Sequence, residues 1–412
     1  MKTIINGQVT LSRPLEGPLA SQITAFAKWS DAQGYSPYSL YRHVLLASDF
    51  SRWLGQQGIK AWCVSSMHPQ EYLAHRARRV RISKSDAPGL RHFMAFLRRE
   101  AVIGEEKTTP KTTTPVEQCV QKFACYLRDE RALATATIIN YLPFIRELLK
   151  QRFADKKVQL RDLSASDVVG LVQRHAPQLG LKRAKLMTTA LRSFLQYARY
   201  RGAFTLDLAA AIPPVAGWSM TSIPRAIPAD QVRKVLASVD RRTPTGCRDY
   251  AILLLLARLG LRSGEVTRME LDDIDWKAGV LRVHGKSGRP IEVPLPADVG
   301  EAVVAYLQDA RPRSTNRRVF LRDKAPIRGF LGSSAVGSIV RRAIERAGVS
   351  PPTRGAHQFR HALATEMLRG GASLAEIGGV LGHQSLETTR IYAKVDLDAL
   401  RALALPWPGD RS

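Results

Sequence analysis

The chain has 412 residues, more than one ordinary hydrophobic core holds and in keeping with two or three domains of roughly 100–200 residues each. Hydrophobic residues at 45% and charged residues at 24% exclude a disordered chain. The 62 Lys and Arg against 36 Asp and Glu give a formal charge of +26 and a pI of about 10.4, which exceeds what solubility requires and calls for a polyanionic partner. Nucleic acid is the favoured partner, with a merely basic protein of a ribosome or membrane surface as the alternative, and charge does not choose between DNA and RNA. Cys63, Cys119, Cys125 and Cys247 form no CxxC pair and no Cys/His spacing suited to zinc, so they read as buried apolar side chains in a reducing compartment, with no metal site expected. The start, MKTIINGQVTLSRPLEG, lacks the apolar core of a signal peptide. The longest apolar run, Ala251 to Ala257, is too short to span a bilayer, which points to a cytoplasmic protein without membrane contact.

In chain order, residues 1–103 read as a first helical domain. FAKWSDAQGYSPYSLYRHVLLASDFSRWL from Phe26 gives an apolar helix, a short break and a second helix. Residues 104–115, GEEKTTPKTTTP, combine proline with small and polar residues and read as a linker. Residues 116–211 form a second helical domain, in which FACYLRDERALATATIINYLPFIRELL from Phe123 overlays the first pattern. The ends also correspond, LRHFMAFLRRE from Leu90 paralleling LRSFLQYARYR from Leu191. This is the signature of a duplicated small all-helical domain, the alternative being two unrelated bundles that share amphipathic spacing.

A second proline-bearing linker covers residues 212–228, and a mixed domain occupies 229–412. It opens with PADQVRKVLASV, with Asp230 near the helix start, and the strongly apolar YAILLLLARLGLRSGEV. Between Gly279 and Pro296 the pattern changes to VLRVH, a GKSGR turn and PIEVPLP, which predicts a β-hairpin. Helices then resume up to Tyr392. The fold class is therefore mostly α with a small β-hairpin or sheet in the last domain, an α+β arrangement.

Taken singly, the polar residues of this domain have ordinary structural explanations. Arg262 in GLRSGE suits a helix end, Lys286 a solvated turn, His357 with Arg360 in HQFR one face of a helical turn, His383 in LGHQS a cap, and Tyr392 in TTRIYAKV a packed aromatic. Together they are the groups that break a phosphodiester without a metal. Two arginines neutralise the extra charge of a pentacoordinate phosphorane with rigid bidentate donors. Histidines donate to the same oxygens or move a proton, lysine protonates a leaving 5′ oxygen, and a tyrosine phenolate forms a covalent intermediate that conserves the bond energy. No nucleotide cofactor is then expected.

In GLRSGE, GKSGR, HQFR, LGHQS and IYAKV the last domain resembles the catalytic domain of the tyrosine recombinase (phage integrase) family, over roughly Ile223 to Val395 and in the family's order. The resemblance implies a site-specific DNA recombinase, an integrase or tyrosine transposase, working through a synaptic complex and Holliday junction. In it, Arg262 and Arg360 clamp the scissile phosphate, His357 and His383 assist, Lys286 is the general acid, and Tyr392 attacks to leave a 3′-phosphotyrosine and a free 5′ hydroxyl. Glu265 reads as a holder of the local helix or of its neighbouring arginine. Residues 116–202 resemble, more weakly, the family's helical core-binding domain, and the first domain is extra relative to a minimal recombinase. The tail helix LDALRALAL would dock on an adjacent subunit. Implied partners are a double-stranded recombination site, further copies of the chain in a tetramer, and partner recombinases or DNA-bending proteins; the implied location is the nucleoid. The competing expectations are a catalytically inactive DNA-binding relative and a type IB topoisomerase.

Overall fold

The computed structural model describes residues 4–5, 8–9, 14–104, 114–154, 156–215, 226–285, 290–382, 389 and 392. The chain divides into two compact units, one of Met1–Glu105 together with Met220–Ser412 and one of Glu106–Ser219. Lys286, His383 and the tail helix lie outside the described residues, as do most of the first linker and residues 216–225 of the second.

The first unit begins with a two-residue antiparallel pair, β1 (Ile4–Ile5) and β2 (Gln8–Val9), followed by α1 (Ala20–Ala32), α2 (Pro37–Gln56), α3 (His68–Ala77) and α4 (Asp86–Arg99). Helix α2 shows how the sequence sets these boundaries. Pro37 opens it, where the missing N–H costs nothing, and the Ser36 hydroxyl accepts from the Ser39 amide. The apolar faces close on one core that includes Ile23, Phe26, Val44, Phe50, Phe93 and Leu97.

The second unit repeats the device. Helix α5 (Pro115–Cys125) starts on Pro115 with the Thr114 hydroxyl as cap, followed by α6 (Thr135–Phe153), α7 (Ala165–His175) and α8 (Leu181–Tyr200). A reciprocal cap between Ser164 and Asp167 opens α7. In both bundles a long second helix packs on the first and the fourth. Aligned aromatic residues meet in the same way in each: Phe26 lies 4.8 Å from Phe93 between ring centres, and Phe123 lies 5.2 Å from Phe194. The next pair corresponds as well, with Phe26 to Phe96 at 5.6 Å and Phe123 to Tyr197 at 5.3 Å.

The remainder of the first unit is the mixed domain. It contains α9 (Ala229–Ala237), α10 (Pro244–Arg258) and α11 (Ser263–Arg268), then strands β3 (Ile274–Asp275), β4 (Val280–His284) and β5 (Pro290–Pro294). Helices α12 (Ala297–Ala305), α13 (Ser334–Arg346), α14 (His357–Arg369) and α15 (Leu374–Val380) follow. The expected hairpin is present, pairing Val280 with Pro294 through His284 with Pro290. The short β3, which carries too few residues to show alternation, adds a third antiparallel strand on the β4 side. Helix α10 explains the run of apolar residues: Ala251, Ile252, Leu253, Leu255 and Leu256 are all buried, so the helix is apolar all round because neighbours surround it. Among the described residues no helix is long and apolar enough to cross a membrane.

The cysteines depart from expectation. Cys63 and Cys125 are exposed, Cys119 and Cys247 half-buried, and all four are free thiols. Cys63 ends a short 3₁₀ turn, and Cys125 lies on an exposed side of the helical stretch that runs from α5 on through Tyr126–Glu130.

Because Leu253 is fully enclosed on α10, Leu253→Ala should cost about 2–5 kcal/mol of local stability. The expected result is faster amide exchange along α10 in the intact chain, with exchange in α5–α8 unchanged.

Candidate active site

The site is assembled on backbone turns at the ends of apolar helices. Helix α10 ends at Arg258, and Gly260 then takes a left-handed conformation (φ +60°) that redirects the chain. A side chain there would be strained by that backbone and would press on Leu381 and Leu363. Two residues later Arg262 caps α11. Glu265 accepts from the Arg262 amide at 2.7 Å through Oε2 and from its Nη1 at 2.8 Å through Oε1. Glu265 is buried and Arg262 half-exposed, so the carboxylate fixes the guanidinium while part of it stays accessible. This is the holding role that the sequence suggested for Glu265.

Helix α14 carries the next groups. His357 is its first residue and is exposed, and Arg360, one turn on, is buried. The Arg360 guanidinium donates from Nη1 to the Gly260 carbonyl at 2.7 Å and from Nη2 to the Leu381 carbonyl. It therefore ties the end of α10 to the end of α15. Burial first, and the neighbouring Arg262 second, push its pKa down to about 10, while Glu265 and Tyr392 pull the other way. At neutral pH the group remains a cation.

Tyr392 is almost fully enclosed, packed with Ala364, Ile377 and Leu381. Burial raises its phenol above the usual range, opposed by the charges of Arg360 and Arg262. Its hydroxyl lies 2.9 Å from Nδ1 of His361, the residue after Arg360 on α14. Three of the six expected residues, Arg262, Arg360 and Tyr392, thus interact with one another, and His357 starts the same helix.

Lys286 and His383 lie outside the described residues, but the elements that carry them meet. Gly382, left-handed at φ +60°, abuts the Ile291 side chain of β5, so the hairpin and the turn after α15 touch. The turn end of β4 is pinned by His284, whose Nε2 lies 2.9 Å from an Asp273 oxygen. Sequence reasoning did not single out His361. Its only signal was a second histidine directly after the HQFR run.

Comparison with known proteins follows the same division of the chain. The phage integrase family model matches residues 225–398, and the model for the phage integrase N-terminal SAM-like domain matches residues 120–202. The integrase/recombinase y4rA of Sinorhizobium fredii is 57% identical over the full length of both chains. The tyrosine recombinase XerD of Xanthomonas campestris pv. campestris is 32% identical over 70% of this chain and 90% of its own. In fold, the chain is similar to the XerH site-specific recombinase bound to a palindromic difH substrate, with a TM-score of 0.55 at 20% identity, over 75% of this chain and 93% of that one. It is also similar to the lambda integrase tetramer bound to a Holliday junction, with a TM-score of 0.53 at 17% identity, over 81% and 91% of the two chains. The chain belongs to the phage integrase family, the tyrosine recombinases, and is a DNA strand transferase of that family.

Proposed function

We propose that the chain cuts and rejoins specific double-stranded DNA sites through a 3′-phosphotyrosine on Tyr392, without metal or nucleotide cofactor. The observation that carries this reading is that Arg360 is bound to the carbonyls of Gly260, two residues before Arg262, and of Leu381, against which the enclosed Tyr392 packs, so that the charges of both arginines act on one phenol. A phosphorane gains negative charge on its non-bridging oxygens, and fixed cations at that point need no reorganisation as the charge develops. The Gly260, Leu381 and Glu265 contacts fix those cations before DNA arrives. His357 and His383 would add donors to the phosphate, and Lys286 at the hairpin tip would protonate the leaving 5′ oxygen. Strand exchange follows when the 5′ hydroxyl of a partner strand attacks the phosphotyrosine and religation reverses cleavage.

The DNA itself would be gripped by α5–α8, whose surface carries Arg128, Arg131, Lys182, Arg183 and Lys185, a set suited to phosphates. The first helical bundle, residues 1–103, is read as a duplicate that supplies a second DNA-binding body. The matched aromatic pairs Phe26–Phe93 and Phe123–Phe194 support that reading. Synapsis in a tetramer, with the tail helix exchanged between subunits and accessory proteins bending the DNA, completes it. The lambda integrase tetramer on a Holliday junction is the structural neighbour that supports this assembly.

Nicked duplexes tiled across the DNA adjoining the coding sequence test the reading in the presence of EDTA. The wild type should form a denaturant-resistant protein–DNA band on one of them, and Tyr392→Phe should form none while binding that duplex with unchanged affinity. A band from Tyr392→Phe would remove Tyr392 from its role, and plasmid relaxation at any sequence would favour a topoisomerase. Arg360→Ala should slow trapping by about 10²–10³-fold or more, the effect of losing a fixed donor to the developing charge; a rate within a few-fold of wild type would contradict the clamp.

A further inference from the structure

A phenol attacks phosphorus as its phenolate, so the hydroxyl proton must leave as the new bond forms. Tyr392 keeps that proton tightly, because burial raises its pKa and the two arginines only oppose the rise. Its side chain is 2% exposed and rests on Ala364, Ile377 and Leu381, so solvent has little access to the ring. An acceptor within hydrogen-bond reach is then needed, and geometry identifies one. The His361 ring centre lies 5.6 Å from that of Tyr392 at an interplanar angle of 59°, and Nδ1 lies 2.9 Å from the phenol oxygen. The placement follows from the helix: His361 is the next residue after Arg360, so the side chain that anchors the site also fixes its neighbour's position.

We propose that His361 is a catalytic residue of the strand-transfer reaction, the acceptor of the Tyr392 proton in cleavage and its donor in religation. The inference rests on Tyr392 being the nucleophile. In cleavage the Tyr392 O–H bond breaks and the proton moves to a neutral Nδ1. The phenol oxygen forms its bond to phosphorus while the bond from phosphorus to the 5′ oxygen breaks. The leaving 5′ oxygen takes a different proton from the acid on its own side, assigned above to Lys286. In religation an incoming 5′ hydroxyl attacks and gives its proton back to the group that served as acid, the phenol oxygen leaves, and Nδ1 returns the other proton to it. Nδ1 must therefore start unprotonated, with the neutral ring's hydrogen on Nε2. The charges of Arg360 on the same helix and of Arg262 at the head of α11 act on the phenol, and Glu265 acts in turn on Arg360. On the elements packed against α14, Arg258 of α10 is engaged by Asp298, Glu376 of α15 by Ser373, and α9 carries Asp230, Arg233 and Lys234.

The test uses the full chain and the duplex that traps the wild type, synthesised with sulfur in place of the bridging 5′ oxygen. A thiolate leaves without a general acid, so the pH dependence of single-turnover cleavage reports on removal of the phenol proton alone. The wild-type rate should rise with pH through a single ionisation and then level. His361→Asn places an amide where Nδ1 lies and can still hold the phenol, yet it cannot take a proton. It should bind DNA normally, cleave about 10²-fold more slowly and lose that ionisation. His361→Ala should be at least as slow. A His361→Asn protein that keeps the wild-type rate and profile, or is slow with the profile unchanged, would overturn the proposal and leave His361 as packing or positioning only. Tyr392→Phe separates the two levels of inference: if it cleaves, the nucleophile assignment fails, and if it is inert beside wild-type-like His361 variants, only the role of His361 fails.

Discussion

The site depends on one buried cation. Arg360 sits inside the mixed domain with its guanidinium shared between the carbonyls of Gly260 and Leu381. Burying a guanidinium is costly unless donors and charge are met, and here two backbone carbonyls at helix ends, where C=O groups lack intrahelical partners, meet them. The arrangement spans three stretches of sequence: the turn after α10, helix α14 and the turn after α15. Each bears a residue of the proposed chemistry within two positions of the contact: Arg262 follows Gly260, Arg360 makes the bond, and His383 follows Leu381. The anchor of the fold and the proposed clamp of the phosphate are thus one side chain, which would tie stability to chemistry at this point.

The same economy holds around it. Glu265 caps α11 with one oxygen and fixes Arg262 with the other. The carboxylate also favours the charge of Arg360, whose pKa is lowered first by burial and second by the neighbouring Arg262. Left-handed glycines at 260 and 382 allow the close approaches, the first against Leu381 and the second against Ile291 of the hairpin. A β-carbon at either place would push apart the two elements that must meet.

Much of this was legible in the sequence, for physical reasons that differ by element. The hairpin was readable because alternation in VLRVH and PIEVP flanks a turn-forming run, and α10 because its apolar residues run without a break from Ala251 to Ala257. Glu265 was readable because three residues from cap to N3 is the reach of a carboxylate. The two helical bundles could be aligned because buried aromatic residues recur at matched helical positions, such as Phe93 and Phe194. Strand β3 was too short to carry a period, and the cysteines misled because residue type alone does not say which face of an element carries the side chain. His361 was invisible for another reason: its significance lies in a 2.9 Å contact with a residue 31 positions away, which no local spacing encodes.

The central claim, a covalent phosphotyrosine at residue 392, is tested most directly by digesting the trapped protein–DNA complex with protease and nuclease and sequencing the modified peptide by mass spectrometry. The account predicts a nucleotide joined through its 3′-phosphate to Tyr392 in the peptide that contains TTRIYAK. A nucleotide carried by any other residue, or joined through a 5′-phosphate, would contradict it.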